Sequence, residues 1–140
     1  MQYGLALFAL FPALAVAAPA GPPLYVFPNP TRSPPPSTLK CGTNEYADTD
    51  VQDAISLAQI AQFNPIRGYP KKFKNYEGFN FSAYCSGPPY YEYPLVLTAG
   101  GYTGGNPGPD RVIYDSGGEF CGAVTHTRAP TPNGFIRCIY

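Results

Sequence analysis

Three ionisable residues stand where strand-like runs would normally carry apolar ones. Glu92 interrupts Tyr90-Tyr91-Glu92-Tyr93-Pro94, Arg111 adjoins Val112-Ile113-Tyr114, and His126 lies in Ala123-Val124-Thr125-His126-Thr127. Taken singly, each has an ordinary explanation as a polar side chain on the solvated face of a half-buried strand. Taken together, they supply a carboxylate, a guanidinium and an imidazole on segments that an antiparallel sheet would make neighbours. That set suits phosphoryl transfer without a metal. The carboxylate removes a proton, the guanidinium stabilises anionic phosphoryl oxygens, and the imidazole protonates the leaving oxygen. His126 is the single histidine of the chain. One such acid–base pair suits attack by a ribose 2′-hydroxyl on its own 3′-phosphate.

The elements that must position these residues are short. Thr49-Asp50-Val51 opens a helix that runs to about Gln62, with Asp48 or Thr49 as its cap and acidic residues in the first turn, where the helix dipole favours them. Val51, Ala54, Ile55, Ala58 and Ala61 recur at helical spacing and form one apolar face. Asn64-Pro65 ends the helix. Beyond it the period shortens. Phe73–Tyr76, Tyr91–Leu97, Arg111–Tyr114, Phe120–Thr127 and Phe135–Cys138 read as strands, separated by Gly- and Pro-rich turns. The fold class expected is α+β, one helix packed on a twisted antiparallel sheet. The glycines of Gly100–Gly108 lack the Gly-Lys-Ser/Thr ending of a phosphate loop and read as a structural turn.

The chain has 140 residues, enough for one domain. Its 9 basic and 9 acidic residues cancel, so it does not hold nucleic acid by bulk charge, although a local basic site remains open. Residues 1–20 read as a secretory signal peptide: an apolar run from Leu5 to Val16, then small residues with cleavage near Ala18 or Ala20. Residues 21–39 are a proline-rich tail or propeptide, because proline removes backbone donors and cannot sit inside a sheet or helix. Residues 40–140 form the folded domain. No 18-residue apolar run follows the first 20 residues, which argues against a membrane span in the mature chain.

A domain of this size has a thin core and needs staples. Four cysteines in a secreted chain imply two disulfides, with three connectivities open. One of these, Cys41 to Cys138, would tie the two ends together and contribute about 4–5 kcal/mol in the chain-entropy view. The absence of a C-x-x-C spacing and the single histidine argue against zinc.

Several segments, in order, resemble the fungal guanyl-specific ribonucleases of the ribonuclease T1 family. They are Gly68-Tyr69-Pro70, Asn75-Tyr76-Glu77-Gly78-Phe79, Tyr90-Tyr91-Glu92-Tyr93-Pro94, the run from Gly104 to Tyr114, and Gly122-Ala123-Val124-Thr125-His126-Thr127. The resemblance spans about Cys41 to Cys138. It implies a secreted, monomeric, metal- and cofactor-independent endoribonuclease acting on single-stranded RNA 3′ of guanosine through a 2′,3′-cyclic phosphate. Glu92 would be the general base, His126 the general acid, Arg111 and Tyr69 the phosphoryl ligands, and Phe135 an apolar wall. Guanine would be read by the Phe73–Glu77 segment, including Lys74. In it Glu77 would accept from the base, Tyr76 would stack on it, and Asn75 would shape the backbone. Asn133 would close the pocket, across a His126–Phe135 interval one residue longer than the family's. The resemblance also assigns Cys41 to Cys138, which leaves Cys85 with Cys121.

One departure bears on chemistry. Where the family places a second catalytic histidine, two residues after the tyrosine of the Tyr-Pro step, this chain has Lys71. A lysine supplies positive charge beside the base but not the shape or near-neutral titration of an imidazole. Two outcomes follow: an active enzyme with an altered pH profile, or a weak or inactive relative that binds RNA or a host partner. The retained Glu92, Arg111, His126, Tyr69 and Phe135 favour the first. A ribosome-directed toxin of the same chemistry would carry long basic insertions, and the intervals here are short. Lys71, Lys72, Lys74 and Arg67 form a basic cluster with two readings, a groove for the RNA backbone or a solvated loop. Asn80-Phe81-Ser82 is a glycosylation sequon.

Overall fold

The computed structural model describes residues 34–140. The expected signal peptide and the tail up to residue 33 lie outside the described residues.

Two strands that the sequence reading does not anticipate come first. β1 (Thr38–Cys41) and β2 (Asn44–Ala47) form a hairpin, with Thr38 opposite Ala47 and Cys41 opposite Asn44. The tail expected to reach Leu39 therefore gives way to a strand at Thr38. Leu39 and Tyr46 are each only 1% exposed, so this hairpin is part of the core rather than a leader to it.

β2 runs straight into α1 (Asp48–Ala61). The cap position falls on Ala47, still extended at φ −74° and ψ 161°, rather than on Asp48 or Thr49. A strand that feeds a helix without a linker leaves its last extended residue at the cap. The capping work passes to Asp50, whose carboxylate accepts the Ala47 N–H at 2.8 Å. The buried face is Val51, Ala54, Ile55, Ala58 and Ala61, as the helical spacing predicts.

The remaining strands form one antiparallel sheet whose spatial order is the chain order. They are β3 (Lys71–Phe73), β4 (Tyr90–Pro94), β5 (Asp110–Asp115), β6 (Phe120–Thr125) and β7 (Ile136–Arg137). Four of the five expected strands are present with shifted ends, whereas of the expected Phe73–Tyr76 only Phe73 lies in a strand. β3 starts earlier and stops at Phe73, because Asn75 adopts φ 53°, a left-handed conformation that cannot continue a strand. β4 stops at Pro94, short of the expected Leu97.

The sheet buries both faces. On one, α1 covers Tyr93, Val112, Tyr114 and Ala123, and the β1–β2 hairpin joins the same core. On the other, Phe73, Phe81, Ile113 and Val124 pack under the segment that links β3 to β4. This explains why β5 and β6 are buried at every position instead of alternating. Cys41–Cys138 joins β1 to the chain's end across 97 residues, and Cys85–Cys121 clips the linking segment to β6 across 36. Both bonds are the expected ones.

Candidate active site

Register decides what the sheet presents. Lys71 lies opposite Glu92 across β3 and β4, Glu92 opposite Ile113, and Arg111 opposite Pro94 on one side and Val124 on the other. Side chains alternate faces along a strand, so Lys71, Glu92, Arg111 and His126, two residues beyond Val124, share the face away from α1. They also share one end of the sheet, where β3 and β5 begin and β4 and β6 end.

Arg111 is 4% exposed and thoroughly held. Its Nη1 donates to the carbonyls of Gly108 (2.8 Å), Asp110 (2.8 Å) and Pro107 (3.3 Å). Its Nη2 donates to the Tyr69 hydroxyl at 3.0 Å. Arg111 Nε, by contrast, is buried without a hydrogen-bond partner among the described residues. A guanidinium fixed in this way is preorganised to meet an anion rather than to follow one. Tyr69 is fixed as well, edge-on to Tyr93 and Tyr102 with ring centroids 6.4 and 5.7 Å away. The Lys71 ammonium lies over the Tyr69 ring, 4.3 Å from its centroid.

Glu92 is half-buried among these cations. Burial pushes its carboxyl above the ordinary 4.5; Arg111, then Lys71, pull it down, and Glu77 pushes it up, the net being a rise. A carboxylate with a raised pKa is a stronger base than an exposed one, which suits proton abstraction.

His126 faces the same space from the end of β6. Its ring stacks on Phe135 with centroids 3.9 Å apart, and Nδ1 is 2.7 Å from the Gly134 carbonyl. If Nδ1 carries a proton toward that carbonyl, Nε2 is left to exchange the other. The sequence reading misses Gly134, and no sequence signal marks it, because every residue carries a backbone carbonyl.

The expected base-reading segment leaves β3 and folds back. Asn75 clamps it, donating from Nδ2 to the Phe79 carbonyl (2.9 Å) and accepting the Phe79 N–H (2.8 Å). Glu77 Oε1 accepts the Phe135 N–H at 2.9 Å. The loop expected to recognise a base is thus joined to the residue that stacks on His126. Phe73 is buried against Phe135, 5.7 Å between centroids, and so serves as the floor of this region rather than as a surface ligand. Tyr76 stands 88% exposed, open to stacking. Lys74 and Asn133 are exposed. It is the Gly134–Phe135 backbone, not the Asn133 side chain, that meets Glu77.

The basic cluster divides. Lys72 pairs with Tyr91 and takes the opposite face of the sheet from Lys71. Arg67 and Lys71 line one cleft with Tyr69. Asp110, quoted in the sequence motif without a role, is fully buried beneath the site. Its Oδ2 accepts from the Tyr46 hydroxyl (2.7 Å) and from Asn44 (2.8 Å), linking the β1–β2 hairpin to the residue before Arg111. Burial, then Asp110, pushes the Tyr46 phenol up, which keeps it a donor. Elsewhere Cys85, Asp115 and Cys121 gather closely, but their sulfurs are spent in a disulfide, leaving no thiolate to bind a metal.

Comparison with known proteins agrees with this arrangement. A family model described as ribonuclease matches residues 34–139. Guanyl-specific ribonuclease U1 of Ustilago sphaerogena is 52% identical over 104 residues, covering 74% of this chain and 96% of the relative. Guanyl-specific ribonuclease T1 of Aspergillus oryzae is 38% identical over 102 residues, covering 70% of this chain and 75% of the relative. Among solved structures, the ribonuclease of Hericium erinaceus aligns with a TM-score of 0.55 at 36% identity, over 74% of this chain and 99% of that one. A core built around Glu92, Arg111 and His126, and similarity of this extent to such enzymes, lead to one conclusion: the chain belongs to the ribonuclease T1 family of endoribonucleases.

Proposed function

We propose that this protein cleaves single-stranded RNA on the 3′ side of guanosine, outside the cell and without a metal. The carrying observation is the convergence of Glu92, Arg111, Tyr69, Lys71 and His126 at one end of the sheet, with the Glu77 loop joined to Phe135 beside them.

In the first step Glu92 takes the proton of the guanosine 2′-hydroxyl. The 2′-oxygen attacks the adjacent phosphorus, the bond to the 5′-oxygen of the next nucleotide breaks, and His126 gives that oxygen a proton. Arg111 and the Tyr69 hydroxyl face the phosphoryl oxygens as charge builds, and Lys71 adds a cation next to Glu92. Phe135 keeps the His126 ring in place and excludes water. The product is a 2′,3′-cyclic phosphate. In the second step His126 takes a proton from water, the water oxygen attacks phosphorus, the bond from phosphorus to the 2′-oxygen breaks, and Glu92 returns its proton to that oxygen. Acid, base and cations all come from side chains, so the reaction has no step that requires a metal.

Guanine preference rests on Glu77. Its carboxylate accepts from the N1 and exocyclic amine hydrogens, a pair that adenine does not present. Asn75 holds the loop, Tyr76 stacks on the base, Lys74 and Asn133 border it, and Phe73 underlies it. Secretion is supported by the signal-like residues 1–20 and by two disulfides, which belong to oxidising compartments. One chain supplies every member of the set, so we read the enzyme as a monomer.

The test is incubation of the mature protein with a defined single-stranded RNA in EDTA, beside Glu92→Ala. Fragments ending in guanosine 2′,3′-cyclic phosphate, absent with Glu92→Ala, are the expected result. Intact RNA at every pH would mean that Lys71 leaves the site disarmed. Cleavage without base preference would overturn the role given to Glu77.

A further inference from the structure

Asn80-Phe81-Ser82 is the single Asn-x-Ser/Thr triplet of the chain without proline in the middle, and the reaction above does not use it. It begins where the base-reading loop ends, in the segment between β3 and β4. Asn80 and Ser82 are exposed, whereas Phe81 between them is 1% exposed. The Phe81 ring packs edge-on to Phe73 and Tyr90, with centroids 6.2 and 5.2 Å away. Its carbonyl accepts the N–H groups of Tyr84 (3.0 Å) and Cys85 (3.3 Å). The middle residue is therefore an anchor, and the residues on either side of it are left at the surface. The Asn80 carboxamide is divided in its turn. Its Oδ1 accepts the Ser82 N–H at 3.0 Å, closing an Asx turn. Its Nδ2 has no hydrogen-bond partner among the described residues, and neither has the Ser82 hydroxyl. The Asn80 backbone carbonyl accepts from the Arg137 guanidinium, which lies over the Phe81 ring, 5.2 Å from its centroid. A fixed backbone thus carries an unengaged carboxamide nitrogen on an exposed residue.

We propose that Asn80 is a modification site that carries an N-linked oligosaccharide, attached through C1 of its first sugar. The inference rests on the secretion part of the proposed function, since such transfer takes place in the secretory lumen. In that step Asn80 Nδ2 bonds to C1 of an oligosaccharide carried on a lipid pyrophosphate. The bond from C1 to the pyrophosphate oxygen breaks, one Nδ2 proton goes to the transferase, and the lipid pyrophosphate leaves. Phe81 is buried once the domain has formed, so transfer belongs to the entering chain, before this ring packs. The folded structure then accommodates the product. A sugar on Nδ2 displaces no hydrogen bond to the described residues, and Oδ1 keeps its bond to Ser82. The neighbours Ser82, Ala83 and Arg137 are themselves exposed, so no core side chain has to yield. Asn75 ties Phe79 back onto itself, and the root of the glycan therefore stands one residue outside that clamp rather than within the base-reading loop.

The test is expression of the full chain in a eukaryotic secretory host, once with its own residues 1–20 and once with the host's secretion leader in their place. The parent, Asn80→Gln, Ser82→Ala and Ser82→Thr are compared by intact mass. The secreted parent exceeds its polypeptide mass by one glycan. An amidase specific for N-glycans removes the excess from the folded protein and leaves aspartate in place of the modified asparagine, which peptide mapping puts at residue 80. Asn80→Gln and Ser82→Ala lose the excess, and Ser82→Thr retains it. The Tm of the glycosylated parent lies within about 3 °C of that of the unglycosylated Ser82→Ala protein, as for a surface change that breaks no contact. A secreted parent of bare polypeptide mass, an excess that survives Asn80→Gln, or a Tm far lower with the glycan than without it would overturn the proposal. A chain that is retained with its own leader but glycosylated with the host's supports the site and counts against secretion alone. None of these readouts requires RNA cleavage, so an inactive protein would count against the proposed ribonuclease activity and not against the site.

Discussion

Lys71 lies directly opposite Glu92 in the β3–β4 ladder, while its ammonium rests over the ring of Tyr69. One lysine therefore neighbours both Glu92, whose carboxyl its charge pulls down, and Tyr69. Under the proposed function, this placement puts a positive charge next to the general base without the shape of an imidazole.

The pH profile should report this coupling. The acid limb of kcat/KM follows ionisation of Glu92, whose pKa burial has raised above 4.5. Lys71→Met removes one of the two cations that pull it down, so the acid limb moves to higher pH and kcat falls. An unmoved limb in a pH–rate titration would show that Lys71 does not act on Glu92.

Folding stability should shift in a defined sense at Glu92. Folding raises this pKa, so ionising the group costs the native state stability. The penalty is absent below the ordinary 4.5 and is complete above the folded value. Glu92→Gln, although inactive, should melt higher than the parent at about pH 8 and equal to it at about pH 3. Thermal melts at the two pH values check this.

His126 depends on Phe135 for its position. His126→Ala should lower kcat/KM by about a hundred- to ten-thousandfold. Phe135→Ala keeps the acid but frees the ring and opens it to water, so about tenfold is lost, mostly in kcat. Steady-state kinetics on one dinucleotide separates the two variants.

Base preference should collapse at Glu77. Glu77→Ala removes one charge-assisted acceptor, worth about tenfold to a hundredfold in the ratio of kcat/KM for GpN to ApN. It also frees the Phe135 N–H, so a smaller fall with both substrates accompanies the loss of preference. Asn75→Ala removes two bonds to Phe79 and strains φ 53°, costing about 1–3 kcal/mol in denaturant unfolding.

The second disulfide stabilises without serving the chemistry. Cys85–Cys121 closes 36 residues, and its removal by paired Cys→Ser changes should cost about 4 kcal/mol. Activity at low temperature should survive. A large loss of kcat in still-folded protein would show that this clip positions the site.

The sequence alone carried the helix and four of the five sheet strands, and it singled out Glu92, Arg111 and His126 as ionisable residues in apolar runs. A helical face repeats every three to four residues, and a charged residue inside an apolar run is conspicuous. It missed β1 and β2, four residues each beside a proline-rich stretch, because pairing partners rather than propensity define so short a hairpin. It placed Glu92, Arg111 and His126 on strands but could not set their register, and a slip of one residue would have sent a side chain to the helix face. The burial of Arg111 on backbone carbonyls, the Gly134 oxygen on His126 and the Phe135 N–H on Glu77 use main-chain atoms, which no residue type announces. The same is true of Arg67. Its charge was legible, but only the tertiary structure shows it in a left-handed turn and Lys72 on the far face of the sheet. Local chemistry is written in the chain; which groups meet is decided by the pairing of strands far apart in it.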